Sequence, residues 1–173
     1  MKGLNPMREN LRTTARRIYL SVSRAVLTKS DDAKLMQEVD IEVSKGEAHT
    51  GVEHWQGYGL STRPKAPTDD KHAEALVAYV GGSRSHPVVI AIADRRSRPK
   101  NLAEGEVCLH DSGDQKVLLS AGGIVVSSGT KITFTVGGTS VVVMPDKVLL
   151  GGAGATKRVK LEDDSIATKV FAL

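Results

Sequence analysis

The chain has 173 residues, room for one ordinary domain and an extension, and a formal net charge of +4 too small to specify a polyanionic partner. One Trp, three Tyr and two Phe are few rings for a compact monomeric core of this size, which points to a Val-, Gly- and Ala-rich stacked-strand interior instead. Cys108 stands alone, so an intrachain disulfide and a cysteine metal framework are excluded, and no apolar run approaches the roughly 18 residues of a membrane span.

The N-terminus lacks the apolar core of a secretory signal, and synthesis in the cytoplasm is expected. Residues 5–17 predict a short helix, with Asn5 as cap and Pro6 in the first turn. Arg8, Arg12 and Arg16 recur at spacing four with Arg17 beside them. That stripe suits either contact with an acidic neighbour or a solvated face.

From Ile18 the period becomes two. Ile18, Leu20, Val22 and Val26 are placed on one strand face, interrupted by Arg24, and Asp31-Asp32 reads as a turn. Leu35, Gln37, Val39, Ile41 and Val43 then alternate with Met36, Glu38, Asp40 and Glu42 as a half-buried strand. Residues 47–59 read as irregular. His49 and His54 there, with Glu53, admit a metal site, but no third His or Cys lies nearby and a loop around buried anchors Trp55 and Tyr58 is the favoured reading. Residues 60–70 form a loop. A strand follows with Ala75, Val77 and Tyr79 on one face, then a turn at 81–87, then the apolar run 88–93, expected to be central. At least four strands without a crossover helix predict a small antiparallel barrel over 18–95, with the OB type a candidate. A basic linker occupies 96–104.

Residues 105–154 carry an eightfold register. Gly105, Gly113, Ala121, Gly129, Gly137, Pro145 and Ala153 mark turns. Five residues after the first six of these come His110, Leu118, Val126, Phe134, Val142 and Leu150. A short fixed period signals stacked repeats. Runs such as Val141, Val142 and Val143 are apolar on both faces and need cover on both sides. Either several copies intertwine as a β-helix, most simply a trimer, or short strands form an antiparallel sandwich. In the first case the shared core column is Leu118, Val126, Phe134, Val142 and Leu150, with Ile124, Ile132 and Val148 beside it. The period fails in the tail, 155–173, which is open to a final strand, a short helix or an exposed end.

No Gly-rich phosphate loop, no nucleophile elbow and no selected carboxylate pair is found, so no enzyme and no cofactor is expected. An OB-type single-stranded nucleic-acid-binding protein is the alternative function. Glu38, Asp40 and Glu42 on one strand face oppose it by repelling phosphate.

The blocks Val-Ser-Arg-Ala-Val-Leu-Thr (22–28), Gly-Val-Glu-His-Trp-Gln-Gly-Tyr-Gly (51–59), Gly-Gly-Ser-Arg-Ser-His-Pro-Val-Val-Ile-Ala-Ile-Ala-Asp-Arg-Arg (81–96) and Leu-Ala-Glu-Gly-Glu-Val-Cys-Leu-His-Asp (102–111) resemble the baseplate assembly protein, or central spike, of Mu-like contractile-tailed bacteriophages. The resemblance implies an all-β homotrimer with an OB-fold collar and a triple-stranded β-helix rod. It also implies a place in the virion at the centre of the baseplate, under the tail tube and its hub, and piercing of the host outer membrane on sheath contraction. Such spikes often bind iron at the apex through a His-x-His pair. Here no His follows His110 and no His-x-His occurs, so no metal is carried over. A blunt end or a separate tip protein is expected, with no specific nucleic acid as partner.

Overall fold

A computed structural model of the chain describes residues 6–19, 21–69, 71–161 and 165–172. Residues 1–5, Leu20, Asp70, the acidic run 162–164 and Leu173 lie outside the described residues, as do the side chains of Arg8, Arg16 and Arg17. Asn5 as helix cap, Leu20 on a strand face and the Arg8–Arg16 stripe therefore fall there. The chain divides into two compact units, Met1–Arg98 and Pro99–Leu173.

The first unit opens with α1 (Pro6–Tyr19), which continues past the expected end. Ile18 is thus helical, not the first residue of a strand. The chain leaves α1 through Ser21, whose backbone N–H and hydroxyl both donate to the Ile18 carbonyl, at 3.2 and 2.7 Å. That satisfies one of the free acceptors at the helix end.

Five strands follow: β1 (Val22–Asp31), β2 (Glu38–Ser44), β3 (Glu47–Glu53), β4 (Glu74–Tyr79) and β5 (Pro87–Ala93). Their order in the sheet is β3-β2-β1-β4-β5. Long β1 serves two partners. Its first half pairs with β4 (Val22↔Ala78 to Val26↔Glu74) and its second half with β2 (Leu27↔Ile41 to Asp31↔Glu38), with a bulge between Leu27 and Lys29. A bulge sharpens the local bend and twist, which lets one strand serve two directions of a curling sheet.

The core of this unit is Ala25, Leu27, Val39, Ile41, Val52, Ala73, Ala75, Val77, Tyr79 and Val89. On β4 the inward residues are Ala75, Val77 and Tyr79, the face the alternation predicts. On β1 the parity is reversed: Ala25 and Leu27 point in, while Val22 is 51% exposed and Val26 half-buried. Leu35 and Met36 precede β2 and are exposed; the buried residues of that stretch are Gln37, Val39 and Ile41. The segment expected to be irregular contains β3, paired to β2 from Glu38↔Glu53 to Ser44↔Glu47. Gly51, at φ +66°, donates its N–H to Asp40 Oδ1 at 2.9 Å and lets β3 bend there.

The apolar run 88–93 lies in the edge strand β5, not at the centre of the sheet, and Ile90 is 47% exposed. At one point the two edge strands approach. His54 forms an isolated parallel bridge with Val89, and the Trp55 N–H donates to the Val89 carbonyl at 2.8 Å. The sheet curls toward a barrel without a closing ladder. Trp55 and Tyr58 are exposed, not buried anchors.

After β5, Arg96 fastens the long loop before β4. Its guanidinium pairs with Asp94 at 2.6 Å and donates to the carbonyls of Lys65, Ala66 and Lys71 at 3.0–3.1 Å. The hydrogen bonds from the Arg96 side chain hold the Asp94 carboxyl below the ordinary range. This residue of the expected linker is therefore built into the first unit.

The second unit holds β6 (Val107–His110), β7 (Lys116–Ser120) and β8 (Gly123–Ser127) in one antiparallel sheet. A second sheet has the order β12-β13-β11-β10-β9, from β9 (Ile132–Val136), β10 (Thr139–Val143), β11 (Val148–Leu150), β12 (Lys157–Lys160) and β13 (Ile166–Ala172). The tail is thus a hairpin added to this sheet, with β13 parallel to β11. Its buried cluster is Val142, Leu149 and Ala155, against which Met144 and Phe171 pack.

Candidate functional site

From β6 to β11 the second unit alternates two-residue turns with connections of four or five residues. β6, β8 and β10 begin at residues 107, 123 and 139, and β7, β9 and β11 at 116, 132 and 148, so the structural repeat is sixteen residues. The eightfold spacing in the sequence is half of it, one strand and one turn. Ala121-Gly122 and Gly137-Gly138 close the tight hairpins. Gly137 sits at φ +55°, the left-handed conformation such a two-residue turn demands.

The first of the longer turns is fixed by a side chain. Asp111 Oδ1 accepts from the N–H of Gly113 at 2.8 Å and of Gln115 at 3.0 Å, and these donors hold its carboxyl below the ordinary range.

Registers decide which side chains share a face. In the first sheet Val107 lies opposite Leu119, which lies opposite Ile124; Leu109 lies opposite Val117, which lies opposite Val126. These six residues form one face with no polar member. It is not covered: Val107 is 61%, Leu109 58% and Ile124 72% exposed. The reverse face is mixed, with Cys108, Leu118 and Val125 beside His110, Lys116 and Ser127.

In the second sheet Ile132, Phe134, Val136, Val141, Val143, Val148 and Leu150 share a face whose polar member on these strands is Thr139. Here Phe134 is 58% and Val136 86% exposed. The reverse face carries Thr133, Thr135 and Ser140 together with the buried Val142 and Leu149.

The proposed core columns are therefore distributed between faces. Ile124 and Val126 lie together on the apolar face of the first sheet; Ile132, Phe134, Val148 and Leu150 lie together on that of the second. Leu118 and Val142 lie on the reverse faces. Val107, Leu109, Leu119 and Val136 belong to the apolar faces and are absent from the columns. Strict alternation within each strand, combined with hairpin register, would have found them. A count by eights changes face whenever it crosses a tight hairpin, as from Leu118 to Val126 or Phe134 to Val142.

Contiguous exposed apolar faces of this extent mark contact surfaces, for a protein, a membrane or a ligand. Burying all six residues of the first face would contribute on the order of 10 kcal/mol, at about 1.5–3 kcal/mol for each fully buried large apolar side chain.

In the first unit the two histidines of the segment 47–59 have different surroundings. His54 is buried, its Nδ1 2.8 Å from Gln37 Oε1, and the Gln37 amide group donates to Asp32 Oδ1 and the Thr62 carbonyl. His49 lies with its Nε2 3.5 Å from Glu47, which Arg84 also binds while covering the Tyr79 ring. Among the described residues no group of three or more His, Cys, Asp or Glu side chains is placed to hold a metal ion. No described helix is long and apolar enough to cross a membrane.

Burial lowers the His54 pKa, because the imidazolium loses its water there. The unfolded chain then takes up a proton near pH ~6.5 that the folded chain refuses, so stability from neutral His54 is full above that pH and declines below it. Denaturant unfolding should show the first unit less stable at about pH 5 than at about pH 7. His54→Gln should reduce that difference, and an unchanged pH dependence in the variant would remove His54 as its source.

Together, these features define an all-β chain of two units, a curled five-stranded sheet followed by hairpin repeats that present uncovered apolar faces. Residues 24–96, nearly the whole of that curled sheet, match the family described as Bacteriophage Mu Gp45, N-terminal. Over that stretch the chain is similar to the Mu-like gp45 baseplate proteins. It is 34% identical over 118 residues to the Mu-like prophage FluMu protein gp45 of Haemophilus influenzae, covering 68% of this chain and 62% of that protein. It is 31% identical over 108 residues to the baseplate puncturing device gp45 of Escherichia phage Mu, covering 62% of this chain and 52% of that protein. The matched stretch thus spans about half to three fifths of these relatives' length.

Proposed function

We propose that three copies of this chain form the central spike of a contractile phage tail. The first unit would be an OB-type collar under the tail tube, and the second an intertwined rod that pierces the host outer membrane when the sheath contracts. The observation that carries this reading is the pair of apolar sheet faces that one chain leaves in water. Three chains about an axis can enclose such faces mutually, and each sheet also has edges free for pairing between chains: β6 and β8 in the first, β9 and β12 in the second.

The name of the phage Mu relative supports a puncturing role, and the strand order β3-β2-β1-β4-β5 with the parallel bridge between His54 and Val89 supports OB-type closure. The work is mechanical, without catalysis or cofactor. Axial load is resisted because bending must break many ladder hydrogen bonds and packed contacts together. Partners are the tail hub and baseplate proteins, and a separate tip protein where the rod itself carries no point.

The nucleic-acid alternative is disfavoured by charge. Glu38, Asp40 and Glu42 occupy the side of β2 opposite its buried Val39 and Ile41, with Glu53 across from Glu38. Native mass measurement and electron microscopy of the purified chain test the proposal. A heat-resistant trimer with a narrow rod is expected, and a compact monomer would overturn it.

A further inference from the structure

The pairs β1–β2, β2–β3, β1–β4 and β4–β5 are all antiparallel, so β1, β3 and β5 run in one direction. The segments that follow these three strands, 32–37, 54–62 and the chain from Asp94 onward, therefore leave the sheet at one end. The first two are braced together. The His54 N–H donates to the Gln37 carbonyl at 2.8 Å, and the Gln37 side-chain amide donates to the Thr62 carbonyl at 2.8 Å. Gln56 Oε1 accepts from the Thr62 N–H at 2.6 Å. On these fixed loops Leu35, Trp55, Tyr58 and Leu60 are each more than half exposed. Aromatic side chains held in place before contact are the kind that anchor protein interfaces.

The charges beside them indicate what they meet. Asp31, Glu38 and Glu53 stand in one row across β1, β2 and β3, with Asp32 next in the chain. Like charges placed opposite one another cost stability. Lys34 pairs with Glu38 at 2.7 Å, Arg63 bonds Ser30, and Lys29 lies across the ladder from Asp40. Among the described residues no ion pair reaches Asp31, Asp32 or Glu53. The third segment has the opposite character. Between Arg95 and Ala103 it carries Arg95, Arg96, Arg98 and Lys100 and no carboxylate. Arg95 and Arg96 pair with Glu74 and Asp94, whereas Arg98 and Lys100 are exposed and form no ion pair among the described residues. Pro99 disfavours helical backbone at Arg98, and residues 98–102 lie in no helix or strand, with Leu102 exposed.

We infer that Arg98 to Leu102 of one copy lies across the loop patch of the next, in the trimer proposed above, on which this contact rests. Patch and linker leave one end of the sheet, and rotation about a shared axis preserves height, so one copy's linker stands level with its neighbour's patch. The two cations meet the faces of Trp55 and Tyr58 and the carboxylates of Asp31, Asp32 and Glu53, and Leu102 meets the apolar side chains.

The test uses the full chain with Cys108→Ser, under mild oxidation, with native mass measured on the same samples. Tyr58→Cys combined with Lys100→Cys should give disulfide-linked dimer and trimer bands on a denaturing gel, while either substitution alone should give none. A trimer whose doubly substituted chains do not link to one another, or link no more than the single variants, overturns the linker contact and leaves the spike reading standing. A chain that is monomeric by mass overturns both.

Discussion

In the trimer proposed above, Phe134→Asp should yield a folded chain that no longer assembles. Phe134 lies in β9 on the apolar face of its sheet, opposite Val141 of β10, and is 58% exposed in the single chain. Its contacts within the chain are therefore few to lose, and far-UV circular dichroism should keep its β signature. Assembly is a different matter. A buried aromatic covers about 150–250 Å², so enclosing the exposed half of Phe134 contributes roughly 2–3 kcal/mol per chain at ~25 cal/mol per Å². An aspartate at the same place forfeits that and brings one carboxylate per chain into a shared apolar interior. Each must be desolvated without a partner or neutralised, at a cost of several kcal/mol.

Thr135→Asp, one residue along the strand and on the reverse face, is the matched control and should assemble like the parent. Val142→Asp is a different experiment. Val142 is 9% exposed and packs with Leu149 and Ala155 inside its own chain, so its loss should unfold the second unit rather than only separate copies. Sedimentation equilibrium and heat resistance in SDS read the outcome. A Phe134→Asp protein with the parent's trimer mass and heat resistance would show that this face is not shared.

Where the sequence was legible, one periodicity acted alone. Ala75, Val77 and Tyr79 alternate in a central strand with polar or half-buried neighbours, and the inward face follows directly. On β1 the helix intruded. Ile18 continues the spacing of Val22 and Val26 in the sequence, but it belongs to α1, and the strand hides the small Ala25 and the Leu27 after it. An apolar run such as β5 reads as central because both of its faces lack charge. It is an edge with no ladder to β3, tied to the chain just past β3 by the bridge between His54 and Val89.

β3 was hidden for the opposite reason. It contributes little apolar surface beyond Val52, and its place comes from the ladder to β2 and the Gly51–Asp40 hydrogen bond. The buried Gln37–His54 pair joins residues seventeen apart and leaves no mark in local pattern. In the second unit the period was plain, but its meaning depended on turn lengths that alternate, so residues in one column point to opposite faces.

Leu27→Ala should be the most destabilising single truncation in the first unit. Leu27 is fully buried, and it sits where β1 changes partners. Its N–H donates to the Ala73 carbonyl at 2.9 Å, its side chain lies in the cluster with Val39, Ile41 and Val77, and the bulge that turns β1 follows it. Packing on both sides leaves little freedom for neighbours to collapse into the space. The cost should fall near the middle of the range for buried Leu→Ala changes, about 3 kcal/mol.

Ile90→Ala supplies the contrast. It removes a similar volume from edge strand β5 at 47% exposure, and should cost less than about 1 kcal/mol. Val26→Ala tests the parity of β1 itself, because that residue would be the core position if Val22 and Val26 faced inward. Equilibrium denaturation of the three variants should rank Leu27→Ala first by a wide margin. If Val26→Ala proved as costly as Leu27→Ala, the inward face of β1 would be wrong, and with it the packing of β1 against both β2 and β4.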